Sequence, residues 1–205
     1  YSYESLHNIL IGVAGGLYGA ASATVALTYF DGNAEAGITK TAKVNNVTDT
    51  VKVHTDGIAG LSPVGVAVAA GMISGTIAIT VSANRSTEQA YIGMGALINT
   101  PDAEVIVTSD LKSDAKPTIV SVGIGLGGVN INVMVSLNEA NNLAYIGRTP
   151  KVDGQDIKAV DGANGRGPNT ITAKNVDVKA TAHADSDLDS YSFAVQGIGL
   201  NGAVT

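Results

Sequence analysis

Gly75 to Ile92, GTIAITVSANRSTEQAYI, decides the fold, because the same pattern stands at one constant interval before it and again after it. With Ala36, Ala90 and Ala144 aligned (90 − 36 = 54 and 144 − 90 = 54), the residues upstream fall into columns: Ala21/Gly75/Val129, Ala23/Ile77/Ile131, Val25/Ile79/Val133, Leu27/Val81/Val135 and Tyr29/Ala83/Leu137. Ile38, Ile92 and Ile146 follow downstream. Self-similarity at such a period is the mark of a stacked or tandem-repeat architecture.

Within the copies the periodicity is two. Val129, Ile131, Val133, Val135 and Leu137 alternate with Asn130, Asn132, Met134 and Ser136, the pattern of a strand with one face buried. Thr24, Ala26 and Thr28, or Ala78, Thr80 and Ser82, stand on the opposite face of the other copies. The expectation is that the Val, Ile and Ala columns form the core and the Thr, Ser and Asn positions vary on the outside. Uncharged runs from Ile9 to Phe30, Ile58 to Asn84 and Pro117 to Asn138 are long enough to span a bilayer as helices. The period of two argues against that, and the Gly-rich, β-branched composition weakens a helix further.

Each copy then enters a polar turn (FDGNAEAG, NRSTEQAY, NEANNLAY), where Asn, Asp and Gly supply turn backbone. A short strand follows, then a pair recognisable as Val51 to Val53, Val105 to Val107 and Val176 to Val178. Polar connections come next (HTDGIAGLSP, TSDLKSDAKP, KATAHADSDLDS), before VGVAVA, VSVGIG and FAVQGIG open the following copy. Residues 1–205 thus read as a single elongated repeat unit of three copies and the start of a fourth, with more than one coil per copy. The chain begins at Tyr1 and ends inside the opening of that fourth copy, which suggests an internal piece of a longer array. The third copy carries 17 extra residues within 148–175, a segment holding Arg148, Lys151, Asp153, Asp156, Lys158, Asp161 and Arg166 between turn-forming Gly and Pro. Insertions of this kind become loops on one face of a solenoid.

Composition sets limits on function. The chain is 45% hydrophobic but 4% aromatic, which suits narrow, closely stacked sheets rather than a core built on large rings. A net charge of −6 and scattered Lys and Arg exclude a nucleic-acid partner, which needs clustered cations. Absence of Cys removes disulfides, thiolate metal sites and cysteine nucleophiles.

Three motifs invite chemistry. Gly123, Gly125 and Gly128 match a dinucleotide-binding fingerprint, but a strand follows where the phosphate site requires a helix N-terminus. The pattern recurs at Gly197, Gly199 and Gly202, so it reads as a structural device of the repeat. Asp185, Asp187 and Asp189 open like a calcium loop, yet Ser190 and Gln196 stand where that loop needs Gly and a bidentate Glu. An acidic surface turn is the default reading. His7, His54 and His183 sit in different repeat phases without metal-ligand spacing. No catalytic, cofactor-binding or metal residue is assigned.

The strands, turn and AYI column resemble the glycine- and valine-rich β-strand repeats of large bacterial filamentous adhesins, especially the leukotoxin-type family exported by two-partner (type V) secretion. The matching stretches are VGVAVAAG and VSVGIGLGG, GTIAITVSAN and VNINVMVSLN, AYIG at Ala90 to Gly93 and Ala144 to Gly147, and VIVTS and VDVKA. Copy one departs, with Gly37 in place of Tyr and an offset opening strand. The resemblance implies a long parallel β-solenoid at the bacterial cell surface or released from it, acting as an adhesive stalk or, in some members, as a toxin. No functional residue transfers with it.

The sequence therefore predicts an all-β repeat solenoid, a right-handed parallel β-helix. The expected role is a non-enzymatic structural and adhesive segment of an extracellular filament, without cofactor. Its partners are a host-cell or matrix receptor or glycan, and its own kind end to end, since uncapped solenoid ends leave backbone groups unpaired. The alternatives are a membrane-active, leukotoxin-like segment and, behind it, a polysaccharide-acting β-helix enzyme.

Overall fold

A computed structural model describes residues 2–152, 155–156 and 167–204. Among them every regular element is a strand. These are β1 (Ser2–Gly15), β2 (Gly19–Phe30), β3 (Asn33–Ile38), β4 (Lys43–Asn45), β5 (Thr50–Ala70), β6 (Ile73–Asn84) and β7 (Thr87–Gly93). They continue with β8 (Leu97–Ala115), β9 (Thr118–Asn138), β10 (Asn141–Gly147), β11 (Lys151–Val152), β12 (Gln155–Asp156), β13 (Thr170–Ser186) and β14 (Asp189–Val204). Among the described residues all pairings are parallel except β11 with β12, so the chain is an all-β solenoid.

The pairing register corrects the expected coil count. Val25 pairs with Ile79 and Ile79 with Val133; Ala36 pairs with Ala90 and Ala90 with Ala144; Val51 pairs with Val105. Each partner lies exactly one repeat further along the chain, so one copy makes one rung rather than several coils. The reason is strand length: β5, β8 and β9 run for 21, 19 and 21 residues, and two such walls with their ends consume a whole copy. The polar connections expected between strands are strand as well. HTDGIAGLSP lies in β5, and TSDLKSDA in β8, with Asp56, Asp110 and Asp114 on one face and Thr55, Ser109 and Ser113 buried on the other. Pro63 and Pro117 align where the wall bends. The β5–β8 ladder ends at Leu61↔Ala115 and the β5–β9 ladder begins at Val64↔Thr118, so the missing Pro amides cost no ladder bond.

A rung is flattened. One wall is β6 followed by β7; the other is the latter part of β8 followed by the start of β9. They meet at a tight arch whose chain carries Gly71 and Met72 in one rung and Gly125 and Leu126 in the next. In the first rung the arch has an extra residue, so β1 pairs with β5 at a spacing of 55 while β2 pairs with β6 at 54. That is the offset the sequence showed in copy one. The excess enters between β10 and β13 and settles at 17 residues after a register shift between Ala173 and Asn175. Pairing resumes at Thr170↔Leu97, and β14 follows β9 at a spacing of 71, as in Val195↔Ile124. Asp153, Lys158, Asp161 and Arg166 lie outside the described residues.

The interior runs from polar at the arch to apolar at the far end. At the far end Ala90, Ile92, Ile98, Val105 and Val107 are fully buried with Val53, and Ile38 and Ile146 pack against them. That region is the core the AYI and VIV columns predict. Toward the arch the expected orientation is reversed: Ser22, Thr24, Thr76, Ala78, Thr80, Ser82, Asn130 and Asn132 point inward, whereas Val25, Leu27, Ile77, Val129, Ile131, Val135 and Leu137 are exposed. The walls near the arch stand too close for branched side chains on both inner faces. A Cβ on Gly12 would lie 2.6 Å from Thr24 Oγ1, and one on Gly65 would lie 2.8 Å from Thr80 Oγ1. Most inward side chains here are short, with Ile119 and Met134 packed on Ala67 and Ala78 as the large exceptions, and many of the polar atoms bond to each other. The Thr55 and Ser109 hydroxyls are 2.7 Å apart, Thr76 Oγ1 donates to Asn130 Oδ1 at 2.7 Å, and Ser121 donates to Asn132. Such pairing is what makes burial of hydroxyls and amides tolerable.

The glycine motif finds its role in the arch. A Cβ on Gly125 would run into the Gly71 carbonyl oxygen, a backbone atom of the rung below, whereas one on Gly127 would meet Ile198 O at 3.5 Å. Gly125→Val is therefore expected to destabilise by about 1–3 kcal/mol through forced backbone movement. Gly127→Ala is expected to change stability by less than about 1 kcal/mol. Urea midpoints of the two variants check the contrast.

Candidate functional surface

Because the branched residues stand outside, both walls and the arch carry a continuous apolar skin. On the β2–β6–β9 wall, Leu27 is 61% and Ile77 46% exposed. On the other wall Ile9, Ile11 and Val13 of β1 and Tyr191, Phe193 and Val195 of β14 are exposed, and Leu17, Tyr18, Met72, Leu126 and Ile198 cluster around the arch. Contiguous apolar area beyond a few hundred Å² marks an interaction surface. A period-2 sequence pattern alone does not reveal it, since alternation is blind to which face turns inward.

Charged groups rim this skin. Arg85 Nε donates to Glu139 Oε2 at 2.8 Å, with the guanidinium 5.9 Å from the Tyr29 ring centroid, at the end of β6 away from the arch. On the other wall Lys116 Nζ lies 3.3 Å from Asp185 Oδ2. The Asp185 carboxylate, followed by Asp114 and Asp187, raises the Lys116 pKa above the ordinary lysine value. The acidic triplet spans the end of one strand and the start of the next, with exposed Asp187 in the two-residue link between them. Asp185 sits in β13 opposite Asp114, Asp189 begins β14 opposite Thr118, and the nearest cation is an amine of the chain itself. Among the described residues no three His, Asp or Glu side chains are grouped to hold a metal ion. His54 Nδ1 is 2.9 Å from Thr108 Oγ1, His7 Nε2 is 3.0 Å from Ser5 Oγ, and the structure brings no two of the three histidines together.

The AYI column builds a second feature. The Tyr91 and Tyr145 rings stack with centroids 5.8 Å apart, and Tyr145 Oη donates to Gln89 Oε1 at 3.2 Å. Tyr91 lies over Gly37, where a Cβ would collide with its ring, so the missing tyrosine of copy one makes room for the second. Burial pushes both phenols above 10.0; Glu35 adds to this for Tyr91, and the hydrogen bond with Thr149 opposes it for Tyr145. The unfolded chain then loses these protons first. Their stabilisation is whole below about pH 10 and disappears as pH rises through the folded values. A chemical-denaturation series from pH 8 to 11.5 should show stability falling above pH 10, and the Tyr91→Phe/Tyr145→Phe variant should lose that part of the fall.

No protein-family model, curated protein or solved structure matches this chain.

Proposed function

We propose that the chain is a non-enzymatic structural and adhesive segment of an extracellular filament on a bacterial surface. The observation that carries this reading is the open parallel stack. Among the described residues β1 to β4 at one end and β10, β13 and β14 at the other have a paired neighbour on one side only, while β5 to β9 between them are paired on both. Parallel ladders with an unpaired outer edge can be continued by another rung at either end, so a second chain adds by the same strand pairing. Stiffness comes from the unbroken ladder, and adhesion from many weak contacts repeated along the skin. The membrane-active alternative draws its support from the same outward apolar walls.

Electron microscopy of the purified chain over a concentration series tests the filament reading. Rods that lengthen with concentration, advancing by roughly 20 Å per chain for four rungs at the β-sheet spacing, support it. Particles of fixed size at every concentration, or rings that form only on liposomes, count against it.

A further inference from the structure

We propose that the outer face of β2, β6 and β9 packs against the same face of a second copy of this chain, around a two-fold axis parallel to the direction in which the rungs stack. This lateral pairing goes beyond end-to-end growth and does not depend on it.

The face is a grid of three strands by five columns, centred on Val25, Ile79 and Val133. No charged residue occurs on the three strands from Gly19 to Phe30, Ile73 to Asn84 and Gly127 to Asn138. Two copies with net charge −6 therefore meet without like charges facing each other across the contact. The shape of the grid is uneven in a way that chooses the partner. Nearer the arch Ala21, Ala23 and Gly75 are small, and beside Ile77, Val129 and Ile131 they leave a shallow groove of about 340 Å³. Away from the arch Leu27, Tyr29 and Leu137 stand out from the sheet.

A two-fold axis through the central column reverses strand direction and keeps the rung order. On β2 it sets Tyr29 over Ala21 and Leu27 over Ala23, large against small; on β6 it sets Ala83 over Gly75, on β9 Leu137 over Val129, and it puts Ile79 opposite itself. An isologous contact of this kind needs only one self-complementary patch. At about 4.8 Å between strands and 3.3 Å per residue the face covers roughly 480 Å² per copy. The resulting ~950 Å² in total is close to the ~1,000 Å² that a specific interface needs. Two such faces pack as aligned sheets do in a sandwich. Because the axis runs along the stack, the pairing repeats at every rung of a longer filament. Lipid offers no such match of large to small, and a single chain in hydrocarbon would expose the unpaired backbone of its edge strands.

The central contact supplies the test. Sedimentation of the wild-type chain should show a dimer at tens of micromolar. Ile79→Asp and Ile79→Lys, each placing like charges face to face, should weaken it at least tenfold with unchanged circular dichroism. An equimolar mixture of the two variants should recover a dimer, since unlike charges then meet. A monomeric wild type, variants that dimerise like the wild type, or a mixture that stays monomeric would overturn the proposal. So would flotation of the wild type with phosphatidylcholine–phosphatidylglycerol vesicles that Ile79→Asp abolishes while sedimentation shows no dimer. Micrographs separate this outcome from the filament reading: lateral pairing sets rod width and is lost with Ile79→Asp, whereas end-to-end growth sets rod length and survives it.

Discussion

Asn130→Ala is expected to cost about 1–3 kcal/mol, although it removes a polar side chain from the interior, because it leaves the buried Thr76 hydroxyl without its acceptor. The Asn130 amide accepts from Thr76 at 2.7 Å and donates to Asn201 Oδ1 at 3.0 Å and to the Phe193 carbonyl at 3.3 Å. It thereby ties three successive rungs through one side chain that is itself 0% exposed. Thr76 is equally buried, so its hydroxyl loses its acceptor inside the stack. Ile124→Thr on the same strand should cost less than about 1 kcal/mol, since Ile124 points outward and little of its apolar area is removed from water. In a conventional core the ranking would be the reverse. Guanidinium midpoints of the two variants, with m-values held equal, give the comparison.

The second large effect belongs to the apolar end. Ile92→Ala should destabilise by about 2–5 kcal/mol, the range for deleting most of a buried branched side chain and leaving a cavity behind. Ile92 is 0% exposed, pairs with Ile38 on one side and Ile146 on the other, and packs in the cluster with Ile98, Val105 and Val107. Backbone ladders fix both neighbours, so the site cannot collapse to fill the space. Ile38→Ala should cost less, because Ile38 is only half-buried in the first rung. Thermal and denaturant unfolding of both variants should preserve that order.

How far the sequence foretold this structure depends on what each pattern encodes. The repeat columns carry the register itself, and Val25↔Ile79↔Val133 and Ala36↔Ala90↔Ala144 pair as the alignment placed them. The alternation along Val129 to Leu137 carries strand, and strand it is. It does not carry the direction of the faces. That is decided by wall separation, which depends on the arch at Gly71 and Met72 and on glycines such as Gly12 and Gly65 that have no Cβ to hold the walls apart. Ser, Thr and Asn then dominate that part of the interior because they are short and pairs such as Thr76 with Asn130 and Ser121 with Asn132 satisfy each other, with Ile119 and Met134 filling the space over Ala67 and Ala78. The connection through Asp110, Lys112 and Asp114 was misread for a related reason. Charged residues have poor strand propensity, but here they alternate with buried Ser109, Leu111, Ser113 and Ala115 in a wall bonded on both sides. The surface that follows from the inversion was invisible for the same cause, since its residues are those a sequence reading assigns to the core.

The central claim is the inversion, and cysteine accessibility tests it most directly in a chain that has no cysteine of its own. Single cysteines at Ile58, which is exposed, and at Val66 and Val68, which are partly exposed, should react with a maleimide in the native state, fastest at Ile58. Cysteines at Ala59, Ala67 and Ala69, which are at most 2% exposed, should be protected by orders of magnitude until denaturant is added. All six positions lie on β5, on the wall away from the proposed lateral contact. Rapid labelling at Ala59, Ala67 and Ala69 with protection at Ile58, Val66 and Val68 would restore the conventional orientation and contradict the account.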